Sequence, residues 1–447
     1  MRNLTIFLYE WRHLVRNPFK LFALGLFVLA GGYGSHNGAT LYQVQLAEIN
    51  HLQEKAISDR QETLGYFERG ELGPEERPWV DVTSPFWALW YSPVYHFKTP
   101  SPAMVYSIGQ AEQYGFYKRV TFWSTPYDAD MAEEIANPER LQSGTLDFSF
   151  ALLFLLPLLL MIFLYNIKGA EADAGFLPLV VTQTGSERTW LFSRVAFYAG
   201  IVALVALGLM LYGALLTPVF AQAGSAFGKI FFFVLLYLFL WVAGFTWIIQ
   251  QSASSISATL KMVGLWLLIC FLIPAAVQQW VSIQHPVNLM VDWIDVQREE
   301  SNELYDLSDE EVLAQLEAIF PGINNSVVAQ DSSQIEAVKS RSISALAFEL
   351  TKESVETIEA DQQAKNDLIA ATNWFNPLTF FQNRLNSFAD THYEDYRTQR
   401  EEILDMTEQV IELMVLGLWN GEEVNQEIYL DYQEQLNQGS TTKVVEH

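Results

Sequence analysis

The stretch LLFLLPLLLMIFLYNIKGAEADAG, residues 152–175, decides the fold. It begins with a long, almost unbroken apolar run and then changes abruptly to small residues that include Lys168, Glu171 and Asp173. An apolar run of this kind predicts a membrane-spanning helix, because the core of a bilayer requires about 20 predominantly apolar residues. The abrupt change predicts that the chain leaves the bilayer there and turns.

The composition supports a membrane protein with large polar parts. The 447 residues are 50% hydrophobic and 17% charged. That charged fraction is low for a soluble protein and high for one that lies wholly in a membrane, so the charges must be concentrated outside the spans. The net charge of -26 argues against nucleic acid as a partner, because phosphates would be repelled.

Apolar runs near the spanning length predict an α-helical integral membrane protein with five transmembrane helices. They cover residues 19–42, 147–166, 190–217, 230–250 and 259–281. The first run is the weakest, since it contains several glycines and His36. Its long polar and amphipathic lead, residues 1–18, predicts an uncleaved anchor preceded by an amphipathic interface helix.

Basic residues near the spans predict the orientation. If the N-terminus is cytoplasmic, all of them face the cytoplasm, and two long acidic segments, 43–146 and 282–447, form extracytoplasmic domains with the C-terminus outside. We therefore expect a multi-pass protein of a bacterial inner (cytoplasmic) membrane. The basic residues in question are Arg2, Arg12, Arg16, Lys20, Lys168, Arg188, Arg194 and Lys261.

Motifs for catalysis and for metal or nucleotide binding are absent from the sequence. It contains no G-x-x-x-x-G-K-[ST] phosphate loop, no H-E-x-x-H and no C-x-x-C pair. Cys270 is the single cysteine, which excludes an intrachain disulfide. We expect no enzymatic activity, no metal and no bound cofactor in this chain.

The loop of residues 167–189 has acidic residues followed by apolar ones, a pattern that predicts a short helix under the membrane with Pro178 in its first turn. A plain connector is the alternative. The segment 137–194 resembles the core of type-two ABC transporter permeases, in which an E-x-x-x-G-x-L pattern lies between the second and third spans. Glu171, Gly175 and Leu177 fall on that pattern. LTIFLYEWRHLVRNPF (4–19) fits the amphipathic helix of such permeases. WFNPLTFFQNRLNSFADTHYEDYR (374–397) resembles a signature of a subgroup of uncharacterised function with two large outer insertions.

The resemblance implies a permease subunit that couples ATP hydrolysis by a separate ATPase dimer, which holds ATP and Mg, to export or extraction of an unidentified substrate. The alternative is a non-transporting machine that transmits movement to extracytoplasmic helices; a sensor or anchor without an ATPase is a third, weaker class. Expected partners are a second permease chain (a copy or a sister subunit), membrane lipid and an extracytoplasmic protein.

The site residues implied by the resemblance form two sets. We expect Glu171 to fix the turn, by capping the short helix or by pairing with a basic residue such as Arg12 or Arg16 of the N-terminal helix. We expect residues 176–181 to present an apolar face to the ATPase. The coupling set is Glu171, Asp173, Gly175, Phe176, Leu177 and Arg188, and the N-terminal interface set is Trp11, Arg12 and Arg16.

The relatives have six spans, and the candidate for a sixth, residues 410–419, is too short and contains Glu412. The second outer domain instead predicts two long antiparallel helices, 332–372 and 393–418, separated by a stop at Asn376-Pro377. The aromatic-rich part of the first outer domain, residues 79–106, predicts either a compact core or an apolar surface.

Overall fold

The computed structural model describes residues 2–91, 94–128, 130, 146–285, 304, 306–330 and 332–439. This part of the chain is mostly helical, and five of its helices are long and apolar enough to cross a membrane. The expected α-helical membrane architecture is thereby supported at the level of helix length and composition. The five candidate spans lie within Pro18–Arg69, Phe148–Asp173, Glu187–Leu216, Gly224–Gln250 and Ser255–Gln284.

The helices are numbered in chain order. Short 3-10 turns are not numbered. The helices are α1 (Arg2–Val15), α2 (Pro18–Arg69), α3 (Pro85–Trp90), α4 (beginning at Phe148 and ending at Leu164), α5 (Gly169–Asp173), α6 (Leu177–Thr184), α7 (Glu187–Leu216), α8 (Val219–Gln222), α9 (Gly224–Gln250), α10 (Ser255–Gln284), α11 (Asp309–Ile319), α12 (Ser332–Ala371), α13 (Pro377–Phe388), α14 (Tyr393–Trp419) and α15 (Gln426–Gly439).

The first span is part of a much longer helix than the sequence analysis predicts. Asn17 caps α2 by accepting from the backbone N–H of Lys20 at 3.1 Å, and the helix continues to Gly70, which ends it with φ 68°. Its 52 residues extend about 78 Å, far more than a bilayer core. The boundary expected at residue 43 therefore lies inside a helix. Three of the glycines that weakened the prediction, Gly31, Gly34 and Gly38, are contact points: a β-carbon at Gly34 would overlap the backbone of Asp147 and Phe148.

The spans pack around α4, which is the most buried of them. A π-helical turn at Ala151–Leu155 interrupts its α-helical hydrogen bonding, and Pro157 follows. Side chains of other helices bond to two carbonyls of this turn. The hydroxyl of Tyr237 donates to Leu153 O at 2.6 Å, and Trp266 Nε1 donates to Phe154 O at 3.2 Å. These bonds satisfy backbone groups that lipid could not satisfy.

The two long segments expected as separate domains share a hydrophobic cluster. Leu89 of α3, Val120 and Phe122 pack in it with residues of α11, α12 and α14. The first segment contributes an antiparallel pair of strands, β1 (Val94–Phe97) and β2 (Tyr117–Val120), with Val94 opposite Val120. Most of the aromatic-rich stretch is buried or half-buried, which agrees with the compact-core interpretation, but Trp79 is exposed.

The long helices α12 and α14 pack against each other. Lys352 pairs with Glu408 and Glu359 pairs with Arg400, so the residue numbers run in opposite directions and the helices are antiparallel, as expected. The candidate sixth span, Val410 to Trp419, is the end of α14 and lies buried in the shared cluster. Its apolar residues therefore form protein core.

A helix that the sequence analysis did not predict follows the expected stop at Asn376-Pro377. This helix, α13, packs into the cluster of the candidate spans rather than into the cluster of α12 and α14. The ring of Phe381 lies 4.9 Å from that of Tyr237 and 5.7 Å from that of Phe233, both on α9. Helix α13 thus connects the two packed parts of the molecule.

Candidate functional site

The loop between α4 and α7 forms two short helices. Gly175 stands between α5 and α6 with φ 75°, a backbone conformation that glycine adopts without strain. Pro178 occupies the first turn of α6, as predicted, and Gly185 ends the helix with φ 74°. The chain is therefore turned twice within the loop, which brings α5 against α10 and α6 against α7.

Arg194, in the second turn of α7, connects this loop to the N-terminal helix. Its Nη1 donates to Glu171 Oε1 at 2.5 Å and to the carbonyl of Ile167 at 2.6 Å. Its Nε lies 2.6 Å from Glu10 Oε1. Glu171 therefore pairs with a basic residue, as predicted, but that residue is Arg194 and not Arg12 or Arg16. Those two arginines are exposed, whereas Arg194 lies buried beneath α5.

Two further buried groups extend these contacts. Tyr198 donates its hydroxyl to Glu10 Oε2 at 2.9 Å, and Lys20 Nζ donates to Tyr198 Oη and to Phe163 O, each at 3.2 Å. Glu10, Lys20, Arg194 and Tyr198 are each at most 6% exposed. Buried charges are stable only when paired. With Glu171 included, two acidic and two basic side chains balance one another. We call Glu10, Lys20, Glu171, Arg194 and Tyr198 the ion network.

The ion network joins four helices, α1, α2, α5 and α7, at one end of the bundle. It also influences its surroundings: burial, followed by repulsion from Lys20, lowers the pKa of His13 on α1. Such a network makes the position of α5 depend on the position of α1. A displacement of either helix would leave a buried charge without its partner, at a cost of several kcal/mol.

Weaker contacts hold the rest of the loop. Asp173 Oδ2 accepts from the backbone N–H of Ser255, the first residue of α10, at 3.3 Å. Lys168 pairs with Glu187 at 3.0 Å across the base of the loop. Gly169 is required at its position, because a β-carbon there would overlap Ser255.

The outward side of α6, together with the residue just before the helix, carries exposed apolar surface. Phe176 is 61% exposed and Leu179 is 57% exposed, although Leu177 packs against the core. Gly175 and Arg188 are exposed beside them. Helix α1 adds Trp11, which is 52% exposed. We call Phe176 and Leu179 the exposed apolar pair.

The sequence analysis missed Glu10 and Tyr198 and gave no role beyond charge counting to Lys20 and Arg194. A signal was available: Lys20 and Arg194 stand inside or at the edge of apolar runs, and ionisable residues in spans are costly unless they have partners. Among the described residues, no group of three or more His, Cys, Asp or Glu side chains is placed to hold a metal ion.

Comparison with known proteins gives no relative. No protein-family model, no curated protein and no solved structure matches the chain. Functional inference therefore depends on the geometry and on the sequence pattern described above.

Proposed function

We propose that this chain is the membrane-spanning permease subunit of an ATP-binding-cassette system. In this proposal the five candidate spans cross a bacterial inner membrane, the N-terminus and α5–α6 face the cytoplasm, and the segments packed around α12 and α14 lie outside. A separate ATPase dimer binds ATP and Mg and docks on α6. A second permease chain, a copy or a sister subunit, completes the assembly.

One observation carries the proposal. Two short helices between consecutive candidate spans present an exposed apolar pair, while a buried ion network fixes them from behind. A simple connector needs neither feature, since water-facing turns are stable with polar residues alone. An element that transmits force between a soluble partner and the spans needs both: a surface that the partner can bury, and a rigid connection to the membrane helices.

The pattern E-x-x-x-G-x-L supports the same interpretation. Glu171 is the residue that bonds to Arg194, Gly175 provides the positive φ between α5 and α6, and Leu177 packs inward as α6 begins. Each position of the pattern thus has a separate physical task in fixing the loop. The absence of a phosphate-loop motif from the sequence fits a chain that depends on a partner for ATP hydrolysis.

A second candidate function is mechanical, and α13 favours it. Because α13 packs on α9 through Phe381 and continues into α14, movement of the spans would reach the long helices directly. In that case nothing crosses the membrane, and the ATPase drives the outer helices and whatever protein binds them.

The test of the proposed permease role is purification of the chain from native membranes in a mild amphiphile, followed by mass spectrometry of what accompanies it. We expect a nucleotide-binding subunit in a fixed ratio to the permease. A complex that contains no such subunit, although it is intact by its other partners, would overturn the proposal. Transport of a substrate into or out of vesicles would then separate the two candidate functions.

A further inference from the structure

A partly open cavity of about 170 Å³ lies at the end of α4 opposite to the ion network. Its walls come from the start of α4, from the turn after the 3-10 helix of residues 102–105, and from α13. This is the place where the outer segments meet the candidate spans. The lining includes Gly109, Glu112, Asp147, Ser149, Phe150 and Asn386.

Two aromatic rings bound one side of the cavity. Phe150 and Phe154 stack with their centroids 5.0 Å apart, and Phe154 lies 5.6 Å from Phe271 of α10. Phe150 and Phe154 belong to or border the π-helical turn of α4, and Phe271 belongs to that of α10. Phe150 is 38% exposed, so part of this aromatic surface is not covered by protein. An acyl chain is the natural occupant of an aromatic surface at membrane depth.

Polar groups with unused hydrogen-bonding capacity bound the other side. Asn386 is 95% buried, and its side-chain oxygen accepts from Ser107 Oγ at 2.5 Å. The amide nitrogen of Asn386 has no hydrogen-bond partner among the described residues. This nitrogen is not fully enclosed by protein, so an occupant that offers an acceptor oxygen can accept a hydrogen bond from it, which contributes about 0.5–1.5 kcal/mol. Gln382, one turn earlier on α13, stands exposed at the edge of the cavity.

The charge of the lining selects against anions. Asp147 and Glu112 are its ionisable residues, and the lining residues include no basic side chain. The carboxylate of Asp147 is already satisfied, because it accepts from Phe150 N at 2.7 Å, from Ile108 N at 3.1 Å and from Ser149 Oγ. Its oxygens already accept hydrogen bonds, so the carboxylate adds negative potential to the cavity without requiring a bound cation. A phosphate or carboxylate in the cavity would be repelled.

We propose that this cavity binds the uncharged polar head of an amphiphile, one that carries hydroxyl or carbonyl groups, with its acyl chain on Phe150 and Phe154. The volume of about 170 Å³ accommodates a head of the size of glycerol. The inference rests on the proposed function in one respect, namely that the helices cross a membrane. It names the substrate class that a transport system of this kind would take up from the outer end of the bundle.

The experiment uses the purified full-length chain, without any ATPase, in phosphatidylcholine nanodiscs. A monoacylglycerol with a photoreactive diazirine in its chain is the probe, and the labelled peptides are mapped by mass spectrometry. Unlabelled monoacylglycerol and the fatty acid of the same chain length are the competitors. We expect labelling of the peptide that contains Phe150, competition by monoacylglycerol, and none by the fatty acid at the same concentration.

Two variants on α13 form a matched pair. Gln382→Trp places an indole in the mouth of the cavity, where it would block the polar head sterically, and we expect labelling to fall about fivefold or more, which corresponds to about 1 kcal/mol. Ser387→Trp places the same side chain at an exposed position of α13 outside the lining, and we expect wild-type labelling. As a second variant, Asn386→Asp keeps the oxygen that accepts from Ser107 but removes the donor, and it should also reduce labelling.

The proposal is overturned if the probe does not label this peptide, if Gln382→Trp and Ser387→Trp label equally, or if the fatty acid competes as well as the monoacylglycerol. Because no ATPase is present, these outcomes are independent of whether an ATPase binds α6. Failure to recover a nucleotide-binding subunit from native membranes would leave the binding result standing.

Discussion

Glu10 of α1 lies 2.6 Å from the guanidinium Nε of Arg194 on α7, and both side chains are buried. An acidic residue in the middle of an amphipathic N-terminal helix would ordinarily face water. Here it points into the bundle, because Arg194, Tyr198 and Lys20 complete its surroundings. The N-terminal helix is thereby bound to α2 and α7 by charge pairing as well as by apolar contact.

Replacement of Arg194 should therefore be severely destabilising. Arg194→Met leaves two carboxylates, Glu10 and Glu171, near one another without their shared cation, and we expect a loss of about 3–5 kcal/mol. The matched control is Arg188→Met on the same helix; Arg188 is exposed, so its loss should change stability by about 0.5 kcal/mol or less. Thermal unfolding of the purified chain in one detergent measures both. Similar melting temperatures for the two variants would contradict the structural role of Arg194.

Glu171 and Glu187 differ in the exposed fraction of their side chains. Glu171 is 23% exposed and bonds to buried Arg194, whereas Glu187 is 42% exposed in its pair with Lys168. We expect Glu171→Ala to leave membrane insertion intact, since Arg194 retains Glu10 and Ile167 O, but to loosen α5 and lower permease-dependent ATP hydrolysis by the partner. Glu187→Ala should have little effect, because an exposed pair contributes about 0–1 kcal/mol. Steady-state ATP hydrolysis by the reconstituted complex is the measurement, and equal rates for the two variants would count against a coupling role for Glu171.

Under the proposed function, the ATPase binds the exposed apolar pair. Phe176→Asp should weaken its retention at least about tenfold, since burial of a Phe side chain contributes about 1.5–3 kcal/mol and 1.4 kcal/mol is tenfold in affinity. Gln183→Asp adds the same charge to an exposed polar position of α6 and should leave retention near the wild-type value. The stoichiometry of ATPase to permease after purification decides the matter. If Phe176→Asp retains the ATPase as well as Gln183→Asp does, the loop is a connector only.

Much of the helical architecture was readable from the sequence, because apolar runs and capping residues act locally. The long helix predicted over residues 332–372 forms α12, which ends at Ala371. The partner of Glu171 was not readable in this way. Arg12, Arg16 and Arg194 are all basic residues predicted to lie near the same membrane face, and only the packing of α7 against α1 selects Arg194.

The position of helix α13 also could not be predicted from the sequence. Its sequence, PLTFFQNRLNSF, is neither long nor apolar enough to suggest contact with the spans. Its place depends on Phe381 and Leu385 fitting a site formed by α9 and by the π-helical turns of α4 and α10. Such a site exists only after three distant segments have assembled, so no local pattern encodes it.

Two glycines of α2 provide a test of how closely this helix packs against α4. Gly34 contacts the backbone at the start of α4, and a methyl group there would overlap Asp147 and Phe148; Gly32, two residues earlier, has nothing within contact range. Gly34→Ala should therefore destabilise the chain by about 1–3 kcal/mol through overpacking. Gly32→Ala should be neutral or stabilising by up to about 1 kcal/mol, because alanine favours the helix. Melting temperatures of the two variants measure the contrast, and destabilisation by both alike would show that α2 does not approach α4 so closely.

Asp130 links the segment between α2 and α4 to α14, and its environment makes stability depend on pH. It faces Arg400, whose Nη1 donates to Oδ2 at 3.2 Å, and Gly115, whose N–H donates to Oδ1 at 2.9 Å; Glu359 and Tyr114 lie around the same guanidinium. Burial is the largest influence and raises the pKa of Asp130 to about 6, against the opposing effect of Arg400.

The sign of the effect follows from proton binding. In the range from about pH 4 to about pH 6 the native state holds a proton on Asp130 that the unfolded state has released, so the contribution of this group to stability grows as the pH falls through 6 and is lost as the pH rises. Relative to Asp130→Asn, which has no such proton, the wild-type chain should gain about 1 kcal/mol on transfer from about pH 7 to about pH 5. Melting temperatures of both proteins at the two pH values give the difference directly. A difference that does not change with pH, or a wild-type chain that loses stability relative to the variant at the lower pH, would show that Asp130 is ionised throughout and that Arg400, not burial, controls it.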